Sequence, residues 1–309
     1  MSLADAIALM VRVSIALIVF SMALNANLHD VVYLLGRPWQ LARSLLAMNL
    51  VMPLFAGGLA AIFDLHHAVE IALVGLAVSP VPPVLPRKQL KAGGRASYVI
   101  SLLVAASLAA IVFVPLAVEL FGLAFSIPMH MSVASIAWLV GNSVLIPLAA
   151  GLIAAYVAPL VSRRIAKPLS LLGTILLAGG GVMIIVSAWP AIASLIGNGT
   201  IAAIAAFVAA GLAAGHLLGG PGQYDRHVLA LATASRHPGI AMAIASVNFP
   251  QQKAVMAAVL LYLILGGVLS ALYLRLNRRL GTNAGGSNDG GAASPVAPQG
   301  APARPPEHG

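Results

Sequence analysis

The most regular feature of the chain is a succession of long apolar segments separated by short polar stretches. An α-helix needs about 20 apolar residues to cross the hydrocarbon core of a bilayer, and most of these segments are that long. Their hydrophobicity is continuous, whereas membrane β-barrel strands alternate in shorter segments. The pattern therefore predicts an all-α membrane protein with about nine transmembrane helices, at residues 4–25, 39–62, 67–90, 95–123, 132–158, 168–190, 200–219, 226–247 and 253–277.

Composition supports a membrane protein and excludes several other classes. Hydrophobic residues make up 60% of the 309 residues and charged residues only 8%, against about 25% charged in an average soluble domain. The net charge of +9 does not indicate nucleic-acid binding, because the basic residues form short clusters between apolar segments. The chain contains no cysteine, which rules out disulfides, thiol catalysis and cysteine metal sites.

The lysines and arginines predict the orientation in the bilayer. Cytoplasmic loops of membrane proteins are enriched in these residues. If the N-terminus lies outside, the outer loops hold only Lys253, and the C-terminus is cytoplasmic. The inner side then holds Arg37, Arg43, Arg87, Lys88, Lys91, Arg95, Arg163, Arg164, Lys167, Arg226, Arg275, Arg278 and Arg279. We therefore expect a multi-pass protein of an inner (plasma) membrane. A cleaved signal peptide is the alternative for the N-terminus, although "MSLADAIALMVR" is apolar and contains Asp5.

The last part of the chain has a different composition. After Leu280 it consists mainly of Gly, Ala, Pro, Ser and Asn, with almost no large apolar side chain. Such a segment buries too little surface to fold. The sequence thus predicts a transmembrane domain over residues 1–280 and a disordered cytoplasmic tail over residues 281–309.

Two of the apolar segments are interrupted by proline. The third carries Pro80, Pro82, Pro83 and Pro86, and the eighth carries Pro238-Gly239. Proline removes a backbone donor and disfavours helix in the preceding residue. A pair of interrupted segments in the two halves of a chain is typical of transporters built from inverted repeats, and the substrate site is expected where the breaks meet. The alternatives are a cytoplasmic loop for the first break and a merely kinked helix for the second.

Arg236 at the second break is the most unusual residue of the membrane segments. A guanidinium suits carboxylate or phosphate, because its donors form a planar fork. We therefore predict a site for a small organic anion, without cofactor or metal. Alternatively, backbone carbonyls of the first break satisfy Arg236. The candidate substrate-binding residues are Arg236, His237, Pro238, Gly239, Ser79, Pro80, Pro82, Asn49 and His216.

Three weaker features complete the list of candidates. Asn49 could line a polar cavity or only cap a kink before Pro53. His216 is favoured as a structural hydrogen-bonding residue over a proton relay. It lies beside glycines spaced four apart at positions 211, 215 and 219, a stripe that indicates close helix packing rather than a binding site.

These segments resemble the bile acid:sodium symporter family of organic-anion carriers. "YDRHVLALATASRHPGIAMAIASVNF" is similar to the family's second crossover helix, and "GHLLGG" to the end of the helix before it. "SPVPP" stands where the family has its first crossover proline, and "FSMALNANLHDVVYLLGRP" resembles a helix end and its following loop. The resemblance implies panel and core domains with the two broken helices crossing in the core. Nine helices imply that the first helix of ten-helix members is absent.

The same comparison shows where the chain departs from the family's sodium sites. The positions of the sodium-binding glutamate and glutamine fall on Ala232 and Arg236, and those of the Ser-Asn pair fall on Leu85 and Pro86. These side chains offer no oxygen, the ligand that sodium, as a hard cation, prefers. We therefore predict that transport is insensitive to sodium. The alternative to a symporter of the family's type is a carrier of the same fold that is coupled to protons or uncoupled. The absence of paired acids and of HExxH argues against an enzyme, and a sensor is the other rival.

Overall fold

The computed structural model describes residues 2–197 and 199–285, and the side chains in these ranges except those of residues 4 and 278–285. Every regular element in this part of the chain is helical. The α-helices are α1 Leu3–Ala23, α2 Leu28–Val32, α3 Pro38–Leu46, α4 Met52–Ile62, α5 His67–Val78, α6 Leu85–Lys91, α7 Ala96–Phe125, α8 Val133–Val140, α9 Ile146–Val157, α10 Pro159–Ser194, α11 Thr200–Leu218, α12 Gln223–Ala234, α13 Pro238–Asn248 and α14 Ala254–Gly285. Two π-helical turns, Ala47–Val51 and Gly141–Leu145, join α3 to α4 and α8 to α9.

The predicted all-α membrane architecture is confirmed in the described residues. Eight helical stretches are long and apolar enough to cross a membrane. The remaining predicted segment, the third, consists of the shorter apolar helix α5 and of α6, with an interruption between them. The eighth segment counts among the eight stretches, but it too is divided, into α12 and α13.

Two boundaries differ from those expected. The sixth segment was expected from residue 168, but α10 begins at Pro159 and continues through Pro168, so that Arg163, Arg164 and Lys167 lie on a helix rather than in a loop. Proline in the first turn suits a helix start, and long basic side chains can extend from a helix to polar surroundings. Helix α14 continues past Leu280 to Gly285. The rest of the expected tail, residues 286–309, lies outside the described residues.

The helices pack in two groups. In the first, α1 lies along both α9 and α10. Close approach there depends on small residues: a Cβ at Gly173 would lie 3.0 Å from the Ser14 carbonyl oxygen, and one at Gly151 would lie 2.7 Å from that of Phe20. The second group contains α3–α7 and α11–α14, with α5 in contact with α4, α7, α13 and α14. Arg87 of α6 links the groups, because it donates to the Ser170 carbonyl at 3.2 Å and to the Thr174 hydroxyl of α10.

The glycine stripe of α11 fixes the position of α12. A Cβ at Gly211, Gly215 or Gly219 would lie 2.5–2.7 Å from the backbone of Ala234, Ala230 or Arg226, respectively. Only glycine allows the two helix backbones to approach so closely. The predicted packing role of the stripe is confirmed. It places the end of α12, and therefore the second break, directly against α11.

Candidate functional site

The two interrupted segments meet at their breaks. The backbone N–H of His237 donates to the Pro80 carbonyl at 2.9 Å, and the Gln89 side chain donates to the Val228 carbonyl at 2.8 Å. Helix α5 also packs on α13, where a Cβ at Gly75 would lie 3.4 Å from the Ala241 carbonyl oxygen. The predicted contact between the breaks is therefore confirmed.

The structure also shows that the first break is buried and that the second is not a simple kink. Residues 79–83 are all buried, so the proline-rich stretch that begins here is not an exposed loop. Residues 235–237 separate α12 from α13, and His237 has extended backbone angles (φ −74°, ψ 105°), so the eighth segment is not one kinked helix.

The prolines leave specific carbonyl groups without their helical partners. In an α-helix the carbonyl of residue i accepts from the N–H of residue i+4, and proline has no N–H. Pro83 is four residues after Ser79, and Pro238 is four residues after Ala234. The carbonyls of Ser79 and Ala234, at the ends of α5 and α12, would therefore lack this partner even if the helices continued.

A third carbonyl is freed in the same way. In the π-helical turn Ala47–Val51, N–H groups bond five residues back rather than four. In this register the partner of the Met48 carbonyl would be the N–H of residue 53, which is proline. Buried carbonyls without a partner are costly, so side chains from elsewhere are needed at all three places.

Arg236 satisfies two of these carbonyls. Its side chain has no exposed surface. Nη1 donates to the Ser79 carbonyl at 3.1 Å, and Nη2 donates to the Met48 carbonyl at 2.6 Å. Both carbonyls lie where helical hydrogen bonding is interrupted. The Ser79 carbonyl also lies at the C-terminal end of α5, and the partial negative charge at the C-terminal end of a helix favours a cation. The guanidinium thus holds the second break against α5 and the π-helical turn.

Tyr262 satisfies the third carbonyl. Its hydroxyl donates to the Ala234 carbonyl at 2.7 Å and accepts from the backbone N–H of Arg236 at 2.7 Å. Its ring is buried and packs edge-on against Phe207 of α11, with centroids 5.9 Å apart. Helix α14 therefore closes the backbone gap between α12 and α13.

The positive charge of Arg236 lacks a counter-ion within the described part of the chain. No described carboxylate lies within 4.0 Å of its guanidinium, since the salt bridges there are His67–Glu70, Arg95–Asp225 and His130–Glu119. Its Nε also has no hydrogen-bond partner among the described residues. A buried charge is usually paired, because the loss of hydration is costly.

The start of α13 presents further unused donors beside this charge. Both ring nitrogens of His237 lack partners within the described chain, although only 7% of the residue is exposed. A Cβ at Gly239 would lie 3.1 Å from Cε1 of the His237 ring, so the imidazole lies over the first turn of α13. Gly239 itself is exposed. The first N–H groups of a helix have no intrahelical acceptor. Here the His237 N–H donates to Pro80 and Pro238 has no N–H, so the N–H groups of Gly239 and Ile240 are left, and only Gly239 is exposed.

The other sequence-derived candidates lie at different distances from this point. Asn49 is half-buried in the π-helical turn, next to the carbonyl that Arg236 binds. Pro82 is buried, and its carbonyl accepts from the Leu85 N–H at 3.0 Å. His216 bonds instead to the Tyr273 hydroxyl of α14 at 2.6 Å, which agrees with its interpretation as a structural residue. A role of these residues in substrate binding stays a prediction.

Sequence reasoning missed Tyr262 and the carbonyl of Met48. The tyrosine itself, inside the last apolar segment, was the available signal for Tyr262, because buried tyrosines usually have a hydrogen-bond partner. The Met48 carbonyl could have been found from Pro53 only if the π-helical register had been known.

Comparison with known protein families provides one match. The family model described as Sodium Bile acid symporter family matches residues 12–196. This range extends from within α1 to just past the end of α10 and includes the first break, while the second break lies beyond it. No curated protein matches the chain.

Proposed function

Because the chain belongs to the sodium bile acid symporter family, we propose that it is a secondary carrier that moves a small organic anion across the membrane without requiring sodium. The family supports transport rather than catalysis. The substrate class and the coupling are inferred from the residues at the two breaks.

One observation carries the choice of an anion: Arg236 is a fully buried cation without a counter-charge among the described residues. Two carbonyls solvate its guanidinium but do not neutralise it. An anionic substrate would supply the missing charge. The partial positive charge at the start of α13 acts in the same direction.

The free donors indicate how the anion is held. Both Nη atoms of Arg236 are engaged by carbonyls, so the substrate does not use the guanidinium fork in this conformation. The exposed Gly239 in the first turn of α13 makes direct contact instead, and the buried His237 ring lies beside it. Arg236 lies behind them and contributes its charge through the low-dielectric interior.

The proposed independence from sodium is supported by what occupies the two freed carbonyls. Carbonyl oxygens are suitable ligands for hard cations, and those of Ser79 and Met48 are taken by the guanidinium. The side chains of Ala232 and Leu85 lie in the apolar core. Arg236 thus provides permanently the positive charge that a bound ion would bring.

The test is a ligand screen on the purified protein. Monocarboxylates, sulfonates and organic phosphates are added separately, and the melting temperature is measured in sodium chloride and in choline chloride at equal ionic strength. We expect stabilisation by one class of anion, of the same size in both salts. Stabilisation by cations alone would contradict the anion assignment, and a saturable increase specific to sodium would contradict the coupling.

A proton-coupled carrier is the second candidate. The observation that favours it is His237, whose two ring nitrogens have no partner within the described residues, because histidine is the side chain that most readily changes charge near neutral pH. Uptake of the identified anion into proteoliposomes, with and without an imposed pH gradient, separates the two candidates. Accumulation driven by the gradient and lost in His237→Gln would select proton coupling.

A further inference from the structure

A cavity lies along α5, from His67 to Val78 next to the first break, and reaches Ile244 of α13 and Phe249 after it. It has a volume of about 110 Å³ and is bounded by α5, α7, α13, the end of α4 and the segment after α7. Arg236 and His237 are not part of its wall. Its buried side is formed by Val78, Val118 and Ile244.

The wall combines apolar and aromatic surface with a single carboxylate. The titratable lining residues are Glu70 and His67, and no lysine or arginine is among the lining residues. The Glu70 side chain is 24% exposed, and its Oε2 lies 3.1 Å from Nδ1 of His67. Its Oε1 accepts no hydrogen bond from the described residues. Glu70 therefore has a free oxygen at a place where water and a ligand can reach it.

The charges in the lining determine whether the cavity prefers an anionic or a cationic ligand. An anion would face Glu70 without a permanent cation in the lining to offset the repulsion. An ammonium group would bind the carboxylate. It would also be attracted by the faces of aromatic rings, and Phe121, Phe125 and Phe249 all line the cavity.

The volume limits the size of the apolar part. An engineered apolar cavity of about 150 Å³ accommodates benzene, so a cavity of about 110 Å³ with one partly exposed side suits a single ring or a short branched chain. We propose that this cavity is a binding site for small amphiphilic amines, with the apolar group between α5, α7 and α13 and the ammonium on Glu70. Arg236 and His237 do not line this cavity, and the site does not depend on the proposed carrier function.

The experiment measures the binding of radiolabelled benzylamine by equilibrium dialysis, with the protein in phosphatidylcholine nanodiscs. Empty nanodiscs give the correction for partitioning into the lipid. We expect saturable binding that Glu70→Gln weakens by about tenfold or more, since a charge-assisted contact is lost. Glu119→Gln is the matched control: Glu119 also lies close to a histidine, His130, but does not line the cavity. It should bind benzylamine as the wild type does.

A second variant tests the location of the apolar group. Val74→Phe places a ring in the cavity, and it should abolish benzylamine binding while the protein keeps its melting temperature within a few degrees. If Val74→Phe does not fold, the comparison of Glu70→Gln with Glu119→Gln decides alone. Benzoate binding as tight as benzylamine, an equal loss in both glutamate variants, or no saturable binding would each overturn the proposal.

Discussion

Replacing Arg236 separates its structural role from its role in anion binding. In Arg236→Ala the carbonyls of Ser79 and Met48 lose the donors at 3.1 and 2.6 Å. A buried carbonyl without a partner costs about 1–3 kcal/mol, so the two cost about 2–6 kcal/mol. Removal of a buried cation works in the opposite direction, because its desolvation is no longer required. We expect a net loss of about 1–3 kcal/mol in the free energy of unfolding, visible as a lower melting temperature without ligand.

The effect on the anion is of a different kind. Two unit charges 4 Å apart interact by about 4 kcal/mol at an effective dielectric constant of 20, and less at greater separation. Loss of the Arg236 charge should therefore weaken anion binding by roughly tenfold to a hundredfold, at about 1.4 kcal/mol per factor of ten. Arg236→Lys keeps the charge but not the fork, so it should retain most of the affinity while losing part of the stability.

The assay measures melting temperature and anion affinity on the same preparations of wild type, Arg236→Ala and Arg236→Lys. Arg164→Ala is the control, because Arg164 is an exposed cation on α10, and both quantities should stay at their wild-type values. A folded Arg236→Ala protein with unchanged affinity would refute the role in anion binding. An unchanged melting temperature would refute the hydrogen-bonding role derived for Ser79 and Met48.

Two other predictions concern the elements around the crossing. Tyr262→Phe leaves the Ala234 carbonyl and the Arg236 N–H unpaired and should cost about 2 kcal/mol or more of unfolding free energy; Tyr156→Phe, at a residue that is 89% exposed, should change the melting temperature little. Gly215→Ala places a Cβ 2.5 Å from α12 and should destabilise by about 1–3 kcal/mol. Gly179→Ala, where no atom lies within 4 Å, should be neutral or slightly stabilising in the same thermal unfolding measurement. Equal effects at both glycines would contradict the packing role.

The elements that could be predicted are those whose signal lies within one segment. Continuous hydrophobicity marks the long helices, and the prolines mark both breaks, because each follows from local chemistry. The glycine stripe indicated its own packing role for the same reason. The boundaries of α10 were not found, since helical hydrogen bonding continued through basic residues and Pro168 where composition suggested a loop.

The site was only partly predictable, because its contacts join residues far apart in the chain. Arg236 could be singled out as a cation in an apolar segment, and a carbonyl-bound state was one of its two interpretations. Its actual partners depend on the packing of α5 and of the π-helical turn against the second break. Pairings of this kind cannot be derived from spacing in one sequence.

The structural and binding interpretations of Arg236 are compatible rather than exclusive. A guanidinium has five N–H donors, and the two carbonyls account for two of them. These bonds fix the position of the cation but leave its charge unneutralised, since carbonyl groups are dipoles. The interruption by proline creates the carbonyls, the carbonyls hold the cation, and the cation favours an anion at the exposed start of α13. A neutral side chain that restored both hydrogen bonds would therefore preserve the fold of the crossing but lose the preference for an anion.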